Sequence, residues 1–288
     1  MPELLSTGVA FLDVMLDGGL EPGTLTVVHG ATGVGKTQLG LAFVNAGLSG
    51  EGRRGVLMDL TTRGDSQQHA DYARRLCGWE LATGEVALED VWSDDSLPER
   101  FVGLDYSGKP VTRANLEADE WRRHQARLNQ RLEAATAFLY AHFTRRVRRV
   151  VIDGIEPAAR VEDSVQLQLV EYLYQHILRT EHDWVARELF RGQWTHVREQ
   201  VLAHAYDRDA LATVVLQTSP EIMLDDLLVR DVLDGDLTTN ANTVILLGRR
   251  TAGSEVGRAA FVLKHRGRRC SEAIVPFRIT DRGIELQD

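Results

Sequence analysis

An α/β fold with a mostly parallel central sheet flanked by helices follows from three features of the sequence. Short β-branched runs alternate with helix-length amphipathic stretches between Leu25 and Leu76. A glycine-rich turn joins one such run directly to the helix after it. Apolar residues make up 43% and charged residues 26% of the 288, a balance that excludes a collagen, a coiled-coil rod and a largely disordered chain.

Each element has its own warrant. Asp17 to Gly23 (Asp-Gly-Gly-Leu-Glu-Pro-Gly) reads as a turn, and Leu25 to His29 as a short buried strand bounded by Gly23 and Gly30. Gln38 to Leu48 has helical spacing of apolar residues and ends at Gly47 and Gly50. Val56 to Met58 is a second strand, and Ser66 to Leu76 a helix that Gly78 closes. From Thr83 to Pro110 the pattern becomes loop-like. A long helix from Leu116 to Arg145 then carries Leu128, Leu132, Ala135, Phe138, Leu139 and His142 on one side. Val150 to Ile152 is a third strand, Leu167 to Leu178 a helix, and 181–209 a polar helical stretch. Thr213 to Leu216, Thr243 to Leu247, Ala260 to Leu263 and Pro276 to Ile279 are later strands. No repeat or low-complexity tract interrupts the chain, so one domain over 1–288 is expected.

Charge and cysteines narrow the function classes. The formal charge of −9 counts against bulk binding of a phosphate backbone. No apolar run approaches the roughly 20 residues that cross a bilayer. No charged segment followed by an apolar stretch marks a leader, so a cytoplasmic protein without a membrane role is expected. Cys77 and Cys270 are too few for a disulfide framework and suit a reducing compartment. The histidine pairs His176 with His182 and His196 with His204 lack tight metal-ligand spacing and read as structural or surface residues. Trp121, Trp184 and Trp194 read as packing residues of amphipathic helices.

Gly30-Ala31-Thr32-Gly33-Val34-Gly35-Lys36-Thr37 fits the phosphate-loop pattern G-x-x-x-x-G-K-[ST] in full. The glycines let successive backbone N–H groups turn inward on phosphate oxygens, and the start of the next helix adds its unpaired N–H groups. Thr32, Gly33, Val34, Gly35, Lys36, Thr37 and Gln38 are the expected nucleotide contacts, with ATP and Mg²⁺ as ligands. Val150-Val151-Ile152-Asp153 is an apolar strand ending in an acid. Thr37 through its hydroxyl and Asp153 through a water are the expected Mg²⁺ ligands, since Mg²⁺ keeps several waters; an Asp capping the turn at Gly154 is the plainer alternative. Arg145, Arg146, Arg148 and Arg149 read as a solvated cluster at a helix end.

Several segments around these motifs resemble KaiC domains of the RecA/RadA superfamily of P-loop ATPases. They are Ser6-Thr7-Gly8, Phe11-Leu12-Asp13, Gly18-Gly19-Leu20 and Pro22-Gly23 before the loop, then Gly78-Trp79 after the second strand. Lys264-His265-Arg266-Gly267 and Pro276 to Ile284 complete the set near the end of the sequence. The likeness covers roughly 1–80, 145–178 and 210–288, leaving about 83–140 and 181–209 as divergent insertions. It implies a RecA-like P-loop NTPase fold and a homo-oligomer, a hexameric ring being one form, with nucleotide at subunit interfaces. It implies that Lys264 and Arg266 act as trans fingers on a neighbour's γ-phosphate, although alone they read as edge-strand cations. It places Asp281 near the ribose and base, where a turn Asp before Gly283 is the alternative. The residues name no partner protein.

One departure bears on catalysis. The family carries a pair of glutamates where this chain has Thr61-Thr62, and a threonine accepts no proton at neutral pH. A positioned base is typically worth roughly 10²- to 10⁴-fold, so slow or degenerate hydrolysis is expected, with Asp59, Asp65 and Glu156 as candidate replacements. A fully active ATPase is the alternative reading. Autophosphorylation of the clock type is not expected, because the sequence ends at Asp288 before the tail that carries it. A DNA-binding recombinase is disfavoured by sign. Glu221, Asp225, Asp226, Asp231, Asp234 and Asp236 face only Arg230 in one segment, and Glu156, Glu162 and Asp163 face only Arg160 in another.

Overall fold

The structure, a computed structural model, describes residues 3–61, 68–93, 96–103, 117–158, 160–161, 164–232 and 236–287. Six strands run parallel: β1 (Leu25–Gly30), β2 (Val56–Asp59), β3 (Arg100–Val102), β4 (Arg149–Ile155), β5 (Ala212–Thr218) and β6 (Thr243–Ala252). β7 (Glu255–His265), β8 (Val275–Thr280) and β9 (Gly283–Leu286) continue the sheet as an antiparallel meander. The order is β3-β2-β4-β5-β1-β6-β7-β8-β9. β1 is thus bonded on both edges: the chain leaves it in one direction for β2, and after β5 it crosses to the other side of β1 for β6. Such a reversal opens a crevice at the carboxyl ends of the strands, where open α/β sheets take their ligands.

Successive strand residues face opposite layers, so the central strands read as unbroken apolar runs. Val28, Leu57, Val151, Leu216 and Ile245 pack beneath α1 (Ala10–Met15), α2 (Lys36–Gly50) and α3 (His69–Cys77). Val27, Met58, Ile152, Val215 and Leu246 pack on the other side, beneath α4 (Ala118–Thr144), α5 (Val165–Tyr172), α6 (His182–Leu189), α7 (Trp194–Ala203) and α8 (Leu224–Val229). The mostly parallel sheet and its flanking helices are those expected from the sequence.

The differences are local and have physical reasons. β3 lies inside the stretch expected to be loop, because three residues are too few to show a period. The β6–β7 hairpin runs out to Ala252 and Glu255, well beyond the apolar stretches, because Arg249, Arg250 and Arg258 sit on its outer half. A π-helical turn, Leu173–Leu178, ends the helix begun by α5. Arg149 is not part of a solvated cluster. It is 2% exposed, and its guanidinium pairs with Glu51 at 2.7 Å and donates to the carbonyls of Ser6 and Phe43. Trp184 is 65% exposed, so it does not pack on the sheet as expected. The side chain of Leu128 lies outside the described residues, while Ala135, Phe138, Leu139 and His142 are buried as expected.

The last turns of α4 are buried on several faces, since Tyr140, Ala141 and Phe143 join that stripe. The reason is a cover formed by the second insertion: Trp92 stacks on Phe190 with ring centroids 4.7 Å apart, and Tyr206 packs against Tyr140 and Phe143. On the same helix His142 is 5% exposed, packs against Phe138 and bonds the Pro98 carbonyl through Nε2 at 2.9 Å. Burial lowers its pKa to about 4, with Arg145 acting in the same direction. Because the unfolded chain takes up this proton near pH 6.5, stability is full above that value and falls as the pH drops toward 4. At about 1.36 kcal/mol per pH unit, roughly 2 kcal/mol is lost between pH 6.5 and 5. Urea unfolding at the two pH values should show the loss, and His142→Gln should shrink it; an equal slope in the variant would contradict the assignment.

Candidate functional site

The site forms where β1 hands the chain to α2. Gly30 ends β1 between two strands, and a Cβ there would lie 2.3 Å from the Leu247 carbonyl oxygen, so only glycine fits. Gly35, at φ +113°, caps α2 in the left-handed region that side chains avoid. Between them the backbone curls over the start of α2, whose first N–H groups lack helical partners. Val34 is buried beneath the loop, and Gln38 lies in the first turn of α2. Arg258, from β7, reaches the Gly33 carbonyl at 3.5 Å, a contact that no sequence pattern announces.

Lys36 is 8% exposed, and its ammonium donates to the carbonyls of Gly30 at 2.8 Å and Ala31 at 2.9 Å. Burial lowers its pKa to about 8, and the Asp153 carboxylate partly offsets this. A buried cation of that kind favours an anion beside it. Thr37 donates its hydroxyl to Asp153 Oδ2 at 2.7 Å, and the Gly154 N–H donates to Asp153 Oδ1 at 2.7 Å. The loop and the acid-ending strand, 116 residues apart, thus meet as the sequence suggests. Among the described residues no group of three or more His, Cys, Asp or Glu is placed to hold a metal by itself. A hydroxyl with one carboxylate suits a cation that keeps waters and takes its other ligands from phosphates.

In the second half of the site the sequence offers Asp59 as a candidate but shows no sign of His69 or Arg100. β2 and β4 pair so that Asp59 lies directly opposite Asp153, and both are 2% exposed. His69, in the first turn of α3 and fully buried, stands between them. Its Nε2 is 3.0 Å from Asp153 Oδ2 and its Nδ1 3.4 Å from Asp59 Oδ2. Burial alone would lower the His69 pKa, but its bonds to Asp153 and Asp59 outweigh burial and raise it. Burial would raise Asp59, but His69, Arg100 and Thr61 together hold it far below the usual carboxylate range. Arg100 of β3 donates to Asp59 Oδ2. Thr61 donates both its N–H (3.0 Å) and its hydroxyl (2.6 Å) to Oδ1.

The remaining expected residues are spread around the sheet. Glu156 opens the segment after β4, where its backbone N–H donates to Gln166. Asp65 lies outside the described residues, as do Thr62, Glu162, Asp163 and Asp234. Asp281 is exposed on the β8–β9 turn, and that hairpin's Ile279 lies beside Gly35. Lys264 and Arg266 sit at the other end of the strands. Thr243 faces His265 and Thr26, whereas Gly30 faces Leu247. There Lys264 donates to Thr238 O at 3.0 Å, and Arg266 to Thr239 O at 3.2 Å. They therefore do not join this chain's own phosphate loop. After β5, at the phosphate-loop end, Glu221, Asp225, Asp226 and Asp231 accompany Asp236, which pairs with Arg230 at 2.5 Å.

A family model described as ATPase: KaiC matches residues 5–181, more than half of the chain. The matched span holds the phosphate loop, Asp59, His69 and Asp153, while Lys264, Arg266 and Asp281 lie beyond it. No curated protein matches the chain. No helix among the described residues is long and apolar enough to cross a membrane.

The buried network makes a quantitative prediction. Removing Arg100 takes a cation from buried Asp59 and leaves it Thr61 and His69. The loss should therefore lie below about 3–5 kcal/mol, the cost typical of breaking a buried pair. Arg100→Met and Asp59→Leu should each destabilise the fold, and the double variant should lose less than the sum of the two, by roughly 0.5–3 kcal/mol. Additive losses in a denaturant cycle would show that the pair is not coupled.

Proposed function

This chain belongs to the KaiC ATPase family, and from that premise we propose that it binds ATP with Mg²⁺, assembles as a homo-oligomer and turns ATP over slowly. The observation that carries the reading is the Thr37–Asp153 bond at the base of a loop whose lysine is buried. Thr32 to Gln38 would cradle the phosphates by backbone N–H groups, with Lys36 exchanging its bonds to loop carbonyls for bonds to phosphate oxygens. Thr37 would ligate Mg²⁺ directly and Asp153 through a water. When bound, Mg²⁺ neutralises charge on the β- and γ-phosphates. Asp281, on the turn beside the loop, would face the ribose and base.

Slow turnover rests on the end of β2. Thr61 stands where the family carries a glutamate, and its hydroxyl is spent on Asp59. Asp59 itself accepts from Thr61 and Arg100 and is a very weak base. Glu156 would be the acid of a fully active enzyme. Steady-state phosphate release should lie roughly 10²- to 10⁴-fold below that of a relative with a positioned carboxylate. Lys36→Ala should bind ATP at least about tenfold more weakly, one charge-assisted phosphate contact being worth about 1.5–3 kcal/mol. Rapid release by the wild type would favour the fully active reading, and unchanged ATP affinity in Lys36→Ala would remove the loop from the site.

Assembly rests on where Lys264 and Arg266 lie. They are at the far end of the strands from their own loop, so any nucleotide they serve would be another copy's. ATP with Mg²⁺ should therefore favour a larger species than ADP does, because a ligand held only by the assembly stabilises it by mass action. Light scattering with ATP, ADP and no nucleotide should show that order, and Lys264→Ala with Arg266→Ala should weaken it. A monomer in all three conditions would contradict the interface reading. The acidic segment after β5 opposes nucleic acid as a partner, and the two unpaired cysteines suit the cytoplasm.

A further inference from the structure

We infer that His69 is a positioning residue for the metal-side carboxylate, holding Asp153 in the one orientation that leaves an acceptor free for a Mg²⁺-bound water. The inference rests on the proposed reading that Thr37 and Asp153 hold Mg²⁺. A carboxylate offers about four acceptor positions, two on each oxygen. On Asp153, Oδ2 takes the Thr37 hydroxyl at 2.7 Å and the His69 Nε2–H at 3.0 Å, and Oδ1 takes the Gly154 N–H at 2.7 Å. The position left is on Oδ1. Without His69, Oδ2 regains an acceptor and one of three constraints on the carboxylate's rotation is lost.

His69 also answers a problem set by the strand register. Asp59 and Asp153 are direct partners on β2 and β4, and neighbouring strands lie about 4.8 Å apart. Two buried carboxylates so close repel, and each would turn toward whichever donor reached it. Arg100 and Thr61 hold Asp59 from its outer side, and the imidazole fills the space between the two acids. Ligating groups held in this way lose roughly 10- to 100-fold in metal affinity when the outer partner is removed. Asp153 reaches the metal only through a water, so the lower end of that range applies.

The test is the Mg²⁺ concentration that gives half of the Mg²⁺-dependent gain in ADP affinity, measured by calorimetry on the full chain. His69→Leu should raise that concentration at least about tenfold. His69→Gln should stay near the wild type, because its amide N–H reaches the position of Nε2. Both variants should bind ADP in EDTA as the wild type does. Thr37→Val is the control on the underlying reading. A shift in Thr37→Val with none in His69→Leu overturns the role of His69 and leaves the metal site standing, whereas no shift in Thr37→Val overturns the metal reading and the inference with it. Should His69→Leu not fold, ¹⁵N-histidine spectra of the wild type decide. The His69 Nε2 resonance, assigned by its loss in His69→Gln, should move when Mg²⁺ is added to the ADP complex, and an unmoved resonance overturns the proposal.

Discussion

Two buried carboxylates side by side at the carboxyl ends of β2 and β4 are the constraint on which this site depends. Asp59 and Asp153 are 2% exposed and directly paired in register. Neither charge is tolerable in that setting without partners. The compensation draws on much of the fold: Thr37 from the start of α2, His69 from the start of α3, Arg100 from the edge strand, and backbone N–H groups of Thr61 and Gly154. The N-terminal half of the molecule is therefore knotted electrostatically around the place where the phosphate loop meets β4. A second buried ion pair does similar work at the opposite end of β4, where Arg149 ties that strand to the end of α2 and to the segment before α1.

The same partners also order the end of β2. Thr61 turns inward to Asp59, so the end of β2 is closed by hydrogen bonds rather than presenting a carboxylate to solvent. Among the described residues at this strand end, the one carboxylate, Asp59, is engaged by Arg100 and Thr61. The aromatic cover stands apart from this chemistry, since Trp92 and Phe190 stack over α4, on the face of the sheet away from α2 and α3.

What the sequence disclosed and what it hid divide along chain distance. The phosphate loop is one contiguous motif, and Asp153 ends an apolar run, so both are visible as local patterns. Their meeting follows from the parallel sheet that strand–helix alternation implies. His69 and Arg100 are invisible for the opposite reason. His69 meets Asp153 across 84 positions and Arg100 meets Asp59 across 41, with no spacing that marks either pair. β3 is too short to carry a period, and Arg149 reads as one more exposed cation until Glu51 is seen to reach it. Lys264 was readable as a strand residue, whereas Arg266 lies in the turn just past β7, and only the register of β6 with β7 shows which end of the sheet they occupy.

The most direct test of the account is a crystal structure of the chain with Mg²⁺ and a non-hydrolysable ATP analogue. The account predicts phosphates wrapped by Gly33 to Thr37, a metal about 2.1 Å from the Thr37 hydroxyl oxygen, and a metal-bound water on Asp153 Oδ1 with His69 still on Oδ2. A metal held elsewhere, or a nucleotide that leaves the Thr37–Asp153 pair untouched, would contradict it.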